Sequence, residues 1–234
     1  MQEAYSLRCA PQVAGAVRDT LEHCCAVTAR EAASAIDNPA LLDDGRIESN
    51  GNFHGAPVAY ALDFYAVAIS DVASMSERRT DRLLDRTRSH GLPPFLAHDP
   101  GVDSGLMIAQ YTRAALVSEL ERLAVPASVD SIPSSAMRED HVSMGWSAGR
   151  KLRRVLDALS RVLAIEFVTA ARVLDLRGPL QAAATTAAAV AVVRTRVAGP
   201  GPDRYLSPEL EDTVVLVRSG SVLAAAEAVT GPLE

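Results

Sequence analysis

The stretch LRRVLDALSRVLAIEF, residues 152–167, decides the fold class of this chain. Its apolar residues recur at spacings of three and four, which places them on one helical face: Leu152, Val155, Leu156, Leu159, Val162, Leu163 and Phe167. The pattern predicts one helix from about Val142 to Leu174, ending near the Gly178-Pro179 dipeptide. A second segment, His54 to about Arg88, lacks Gly and Pro after its first turn. Helices this long would span roughly 50 Å, which favours a bundle of long helices.

Shorter helices are expected on either side of these two. The predicted segments run from Pro11 to about Ala35, from Ser104 to about Ala124, from Gln181 to about Val197, and in a final pair after Ser207. Connections rich in Gly, Pro, Asp and Asn separate them, and no alternating apolar run demands a large sheet. We therefore predict an all-α bundle that forms a single helical domain over residues 1–234.

Composition and charge narrow the class of protein. The 234 residues are 48% apolar, which is enough for a buried core, and they carry a net charge of −6. This charge disfavours nucleic acid as a partner, because phosphate binding needs a surplus of Lys and Arg on one face. The one basic run, GRKLRR at residues 149–154, lies within a helical pattern, so we predict that it is a solvated helix face.

Cysteine usage and hydropathy indicate the compartment. Cys9, Cys24 and Cys25 are an odd number without metal-ligand spacing, and the sequence shows no signal-peptide pattern at Met1, so a reducing cytoplasm is expected. The histidines lack HxxxH spacing, so no metal site is expected. No apolar run is expected to be long enough to cross a bilayer, and the longest, Ala182–Val193, contains two threonines, so no membrane partner is expected.

Three polar residues near the start of the chain form a candidate binding group. Gln2, Tyr5 and Arg8 recur every three residues, so one helical turn would present them on one side. An amide, a phenol and a guanidinium together can hold an amino acid, because Arg pairs with a carboxylate through two hydrogen bonds and Tyr can relay a proton. A polar first helical turn without a binding role is the alternative.

The stretch SSAMREDHVSMGW, residues 134–146, holds two adjacent acids and a histidine where the sequence predicts the start of the long helix. Asp140 is predicted to cap that helix or to complement its dipole. A buried or interfacial histidine with its hydrogen bonds satisfied is the favoured interpretation of His141, with a proton carrier as the alternative.

Seven motifs in order carry a resemblance to a known family. They are QEAYSLRCAPQV, NGNFHGAPVAYALDF, SERRTDRLLD, GLPPFL, SGLMIAQYT, PASVDSIPSSA and EDHVSMGW. Together they closely resemble the histidine ammonia-lyases, within the aromatic amino acid lyases and aminomutases. The resemblance is strong from Gln2 to Leu176 and weak over 177–234. It implies the C-terminal half of a helical fold similar to fumarase and aspartase, in an enzyme that assembles as a tetramer.

The resemblance also implies roles for five residues. Gln2 and Tyr5 match residues beside the prosthetic group, and Arg8 matches the residue that binds the substrate carboxylate. Phe53 matches an aromatic that packs near the substrate, and Glu139 matches the acid that faces the imidazole. Tyr5 and Glu139 are thus expected to be catalytic, and Gln2, Arg8 and Phe53 to bind substrate. A carboxylate near an imidazole stabilises its cation and can accept its proton, which suits a histidine-like substrate.

The family's electrophile, methylideneimidazolone, forms from an Ala-Ser-Gly tripeptide, and this sequence contains none. Ser147–Gly149 reads Ser-Ala-Gly, which is the wrong order. We therefore expect an ammonia-lyase subunit that is inactive alone, in a hetero-oligomer whose partner chain carries Ala-Ser-Gly. The alternatives are a 2,3-aminomutase subunit, a non-catalytic interaction protein derived from a lyase, and a truncated fragment.

Two further expectations follow from the resemblance. Arg138 stands where the family usually has Gln, and a cation there could pair with Glu139 and lower its ability to take a proton. Half of a helical bundle should also leave apolar faces uncovered, because the packing that would bury them is missing.

Overall fold

The computed structural model describes residues 2–233, and these are mostly helical. The all-α prediction with long helices is confirmed. The helices are α1 (Tyr5–Arg8), α2 (Ala10–Ala32), α3 (Ala56–Leu84), α4 (Met107–Leu123), α5 (Gly145–Leu176), α6 (Ala184–Arg194), α7 (Ser207–Arg218) and α8 (Ser221–Thr230).

The two long helices exist, with ends that differ from prediction by a few residues. α5 has 32 residues and α3 has 29, which correspond to about 48 and 44 Å. α3 ends at Leu84 because the Asp85 carboxylate accepts hydrogen bonds from the amide and hydroxyl of Thr87, at 2.8 and 2.7 Å. Such local side-chain bonds compete with the helical pattern.

The chain divides into two compact units, with divisions after Arg8 and inside α3, α4 and α5. The first unit contains the chain up to Arg8, Ala73–Glu119 and the chain from Asp157 onward. The second contains Cys9–Val72 and Leu120–Leu156. The assignment of residues 1–234 to a single domain stays a prediction.

Two apolar clusters form the core of the first unit, and α5 contributes to both. The first cluster contains Leu84, Leu92, Leu96, Leu106, Ala109, Ile165 and Val173. The second contains Val168, Ala171, Val193, Val197, Leu216 and Val222. Of the residues whose spacing predicted α5, Leu152, Val155 and Val162 are buried, whereas Leu156 is 42% exposed, so the spacing marks the buried face only in part. Such burial stabilises the helix more than its intrinsic propensity does.

A buried ion pair ties the second unit together. Asp63 on α3 is 3% exposed. Its carboxylate accepts hydrogen bonds from Lys151 Nζ at 2.8 Å and from the Ser128 amide at 2.7 Å. The Lys151 ammonium also donates to the Val125 carbonyl. The prediction of a solvated face for residues 149–154 is therefore wrong for Lys151, whose long stem carries its charge to a buried partner.

The second unit also contains a small hairpin. β1 (Ala40–Leu41) and β2 (Ile47–Glu48) pair antiparallel, with Ala40 opposite Glu48. Gly45 lies in the turn at φ +83°, a conformation that favours glycine. Two residues per strand agree with the expectation that the chain forms no large sheet.

One face of α3 in the second unit remains uncovered. Tyr60, Phe64 and Val67 follow one another at spacings of four and three and are all exposed. This agrees with the expectation of uncovered apolar faces.

The helical segment Asn52–Leu84 is long and apolar enough to cross a membrane, which corrects the expectation that no segment of the chain is long enough. The core helix of a soluble protein meets the same criteria, so this is weak evidence for a membrane span.

Candidate active site

The first unit brings Gln2, Tyr5 and Arg8 together. Arg8 Nη1 donates a hydrogen bond to Gln2 Oε1, and the Arg8 guanidinium carbon lies 4.8 Å from the centroid of the Tyr5 ring. α1 begins only at Tyr5, so Gln2 precedes the helix and reaches Arg8 through its side chain. The Tyr5 side chain is 69% exposed, and Gln2 and Arg8 are also exposed.

This group can bind an anion. A guanidinium has five N–H donors in a planar fork, and the Gln2 bond uses one of them. The remaining donors suit a carboxylate, which pairs with such a fork through two parallel bonds. The Tyr5 ring supports the cation from one side, since its π-face attracts positive charge.

Phe53 lies in the second unit, in a 3-10 turn formed by Asn52–His54. Two local bonds shape the approach to the turn: Asn50 Oδ1 accepts the Asn52 amide at 2.9 Å, and Asn52 Nδ2 donates to the Ala35 carbonyl at 3.1 Å. Gly55 ends the turn at φ +75°. The Phe53 ring is 56% exposed, so it presents an apolar surface that is open to a ligand.

Glu139 lies in a tight loop of the second unit, and the loop is closed by bonds to Ser134. The Ser134 amide donates to the Glu139 carbonyl at 2.9 Å, and the Ser134 hydroxyl donates to the Glu139 carboxylate. Between them Ser135, Ala136 and Met137 have φ values of +51°, +54° and +69°. Non-glycine residues rarely adopt this left-handed conformation, so the surrounding bonds must offset its strain.

The structure corrects the predicted helix start next to Glu139. α5 begins at Gly145, so Asp140 lies in the loop and does not cap the helix. The loop continues because Ser131 Oγ accepts the Val142 amide at 3.0 Å and donates to the Val142 carbonyl at 3.1 Å. The Glu139 carboxylate accepts a hydrogen bond from Ser134, and none of the described contacts joins it to Arg138, the cation that could have paired with it.

A histidine pair links the two candidate segments of the second unit. The His54 and His141 rings stack with centroids 5.5 Å apart and planes 11° apart, and His54 Nε2 lies 3.4 Å from His141 Nδ1. His54 follows Phe53, and His141 lies two residues after Glu139. No pattern in the sequence predicts this pair. His141 is exposed, so the buried form of the expected histidine is wrong, and an interfacial histidine stays a prediction.

The predicted residues thus form two groups. Gln2, Tyr5 and Arg8 meet in the first unit, and the second unit carries Phe53 and Glu139, joined through the histidine pair. The described residues form long helices, and the first unit presents an arginine that can bind an anion beside a tyrosine. The chain belongs to the aromatic amino acid lyase family, whose profile matches residues 1–195.

Known proteins of this family match the whole chain. Histidine ammonia-lyase of Streptomyces avermitilis is 67% identical over 234 residues, which are 100% of this chain and 46% of that protein. The crystal structure of histidine ammonia-lyase from Trypanosoma cruzi matches with a TM-score of 0.93 and 40% identity, covering 97% of this chain and 45% of that one. The crystal structure of tyrosine aminomutase from Streptomyces globisporus also matches with a TM-score of 0.93 and 40% identity, covering 100% of this chain and 44% of that one.

The chain therefore spans about half the length of the relatives it matches. Members of the family use methylideneimidazolone. That group is built from Ala-Ser-Gly, and no such tripeptide occurs among the 234 residues. The residues of this chain cannot form the group, although they include candidates for holding a substrate.

Proposed function

We propose that this chain is a subunit of a methylideneimidazolone-dependent ammonia-lyase that removes ammonia from histidine or a similar amino acid. A partner chain with Ala-Ser-Gly supplies the prosthetic group, and the two form a hetero-oligomer with a tetramer-like arrangement. The observation that carries the proposal is the Arg8 guanidinium, which Gln2 and Tyr5 hold in the open. Identity of 67% to a histidine ammonia-lyase supports the reaction class.

Arg8 binds the substrate carboxylate in this proposal. The bond to Gln2 fixes the guanidinium before substrate arrives, which lowers the entropy lost on binding. Tyr5, the other member of the group, is mostly exposed, and its phenol can donate or relay a proton at its oxygen. The partner's group, when present, supplies the electrophile for the amino group.

Glu139 selects the side chain of the substrate. Its carboxylate accepts one hydrogen bond from Ser134 and retains acceptor sites for an imidazole N–H. A carboxylate in this position favours a substrate that can carry positive charge. The exposed Phe53 ring supplies an apolar surface for a flat side chain.

Native mass spectrometry of the tagged chain, purified from its own source, tests the assembly. The expected result is a second polypeptide that contains Ala-Ser-Gly and is lighter than its sequence by two waters, one lost in cyclisation and one in dehydration of the serine. Self-association alone, or a complex with an unrelated protein, would contradict the proposal and favour a non-catalytic interaction protein. Finding Ala-Ser-Gly in a longer form of the same polypeptide would contradict the proposal of a separate partner chain. The proposed ammonia-lyase reaction would remain consistent with that result.

Three variants of the assembled enzyme test the residue roles. Arg8→Ala should raise KM for L-histidine about 10- to 100-fold, because a hydrogen bond to a charged group contributes roughly 1.5–3 kcal/mol. Tyr5→Phe should chiefly lower kcat, since only the hydroxyl is lost. Glu139→Gln should lower kcat/KM for L-histidine more than for L-phenylalanine. Arg150→Ala, an exposed arginine on α5, is the control. Wild-type kinetics in all three variants would refute the assignment.

A 2,3-aminomutase subunit is the second candidate. Tyrosine aminomutase matches this chain with the same TM-score as the histidine ammonia-lyase structure. The two reactions have different products, since a mutase retains the nitrogen and a lyase releases ammonia. Proton NMR of the products formed by the assembled enzyme distinguishes them: a β-amino acid without free ammonia would favour the mutase.

We also propose that the chain works in the cytoplasm. Its cysteines, Cys9, Cys24 and Cys25, are all free thiols, which a reducing compartment maintains. Fractionation of the source cells, followed by immunodetection of the chain in soluble and membrane fractions, tests this placement. Recovery mainly in the membrane fraction would contradict it.

A further inference from the structure

The short helix α1, which carries Tyr5 and Arg8, cannot be stable by itself. It has four residues, and the Leu7 and Arg8 amides both donate to the Ala4 carbonyl, at 3.0 and 2.9 Å. Isolated helices shorter than about 12 residues are marginal in water, because nucleation is costly. Tertiary contacts must therefore hold α1, and with it the Arg8 side chain.

Arg79 of α3 makes such a contact within the first unit. Its Nη1 donates to the Ser6 carbonyl at 3.3 Å, and Ser6 is the buried residue of α1. The last carbonyls of a helix have no partner inside the helix, and an arginine is a good donor to them. Arg82 adds an ion pair to Glu3 at 3.2 Å, but Glu3 is exposed, so this second contact is weak.

Glu166 of α5 fixes Arg79 in place. Arg79 Nε and Nη2 donate to the two Glu166 carboxylate oxygens at 2.5 and 3.0 Å, which is a two-point pair. The same carboxylate accepts from Ser76 Oγ and from Arg113 Nη2, the latter at 3.3 Å. Arg113 is fully buried, so the network is anchored in the interior of the unit. Arg79 is thus already oriented when it meets α1.

We propose that Arg79, held by Glu166, is a positioning residue for the Arg8 guanidinium. It fixes α1 through the Ser6 carbonyl, and α1 in turn directs Arg8 toward the substrate carboxylate. The second step rests on the proposed function, whereas the first concerns this chain alone. Tyr5 lies on the same four-residue helix and depends on the same contact.

Hydrogen exchange of the isolated full chain tests the contact without any activity. Arg79→Met removes the donors and retains most of the apolar stem. We expect the Leu7 and Arg8 amides to exchange at least about fivefold faster in this variant, with Arg79→Lys intermediate. The control is Arg218→Met, which removes an exposed arginine from an ion pair with Asp157 in the same unit. Unchanged exchange at both amides would overturn the inference.

Kinetics of the assembled enzyme test the consequence for substrate. Arg79→Met should raise KM for L-histidine about tenfold. The inhibition constant of histamine, which lacks the carboxylate, should change by less than about twofold. In an Arg8→Ala background, Arg79→Met should raise KM little further, because the two residues act on carboxylate binding in series. Equal weakening of both ligands, or additive effects, would overturn the inference. A wild-type assembly without lyase activity would refute the proposed function, and hydrogen exchange alone would then decide the role of Arg79.

Discussion

Replacing Asp63 with Asn should destabilise the second unit substantially, because it removes the charge that balances Lys151. The Asp63 carboxylate is 3% exposed and accepts from Lys151 Nζ at 2.8 Å and from the Ser128 amide at 2.7 Å. An asparagine oxygen can still accept from Ser128. It cannot neutralise the ammonium, which retains only the Val125 carbonyl as a described partner.

The magnitude follows from the burial of the two groups. Removing one member of a fully buried ion pair costs about 3–5 kcal/mol, because the other charge is left uncompensated. The Lys151 side chain is 20% exposed and can regain some hydration, so we expect a loss of about 2–3 kcal/mol. The matched control is Asp157→Asn, whose carboxylate is 65% exposed in its pair with Arg218 and whose loss should cost under about 1 kcal/mol.

Urea denaturation followed by far-UV circular dichroism measures the free energy of unfolding of both variants. The pH dependence of that free energy supplies a second test. Burial alone would raise the pKa of Asp63, but the hydrogen bonds from Lys151 and Ser128 lower it below its ordinary value of 3.8. A depressed folded-state pKa gives stability that is present above the unfolded pKa and is lost as pH falls through the folded value. The difference in unfolding free energy between wild type and Asp63→Asn should therefore be largest at pH 7 and shrink below about pH 4.

A loss for Asp63→Asn no larger than that of Asp157→Asn at pH 7 would refute this reasoning. So would a difference that stays constant from neutral to acid pH. Either result would mean that Lys151 is hydrated well enough to need no partner.

Two backbone positions give further predictions for the same assay. Gly105→Ala should cost more than about 3 kcal/mol, since Gly105 has φ +59° and an added Cβ would lie 2.5 Å from the Phe95 carbonyl oxygen. Gly91→Ala, at φ +88° in open space, should cost only about 1 kcal/mol, and equal losses would contradict the steric argument. Ala136→Gly should be neutral or stabilise by up to about 1 kcal/mol, because Ala136 has φ +54°. Ala26→Gly, within α2, should lower the free energy of unfolding by about 1 kcal/mol. A similar loss for Ala136→Gly would contradict the inference that Ala136 is strained.

Local patterns in the sequence predict much of this fold. The three-and-four spacing after Leu152 identifies α5, since a helix repeats every 3.6 residues and one face must be buried. Residue types also carry information about the site, because glutamine, tyrosine and arginine side chains spaced three residues apart are long enough to meet. Gln2 and Arg8 form a hydrogen bond although α1 begins only at Tyr5.

Long-range partners are not visible in such patterns. Lys151 lies in a basic run that looks solvated, yet its partner Asp63 is 88 residues away. The left-handed turn at Ser135–Met137 contains no glycine, so nothing in its residue types announces it. The His54–His141 stack likewise joins two motifs that are 87 residues apart.

The sequence by itself determined the helical class, the family and the residues able to bind a carboxylate, because periodicity and residue chemistry are local properties. Only the tertiary structure decided which charges are buried together and which residue holds α1. Those outcomes depend on distances between segments far apart in the chain. A guanidinium or carboxylate acquires its role from the groups within hydrogen-bond reach, as Arg79 does from Glu166 and Ser6.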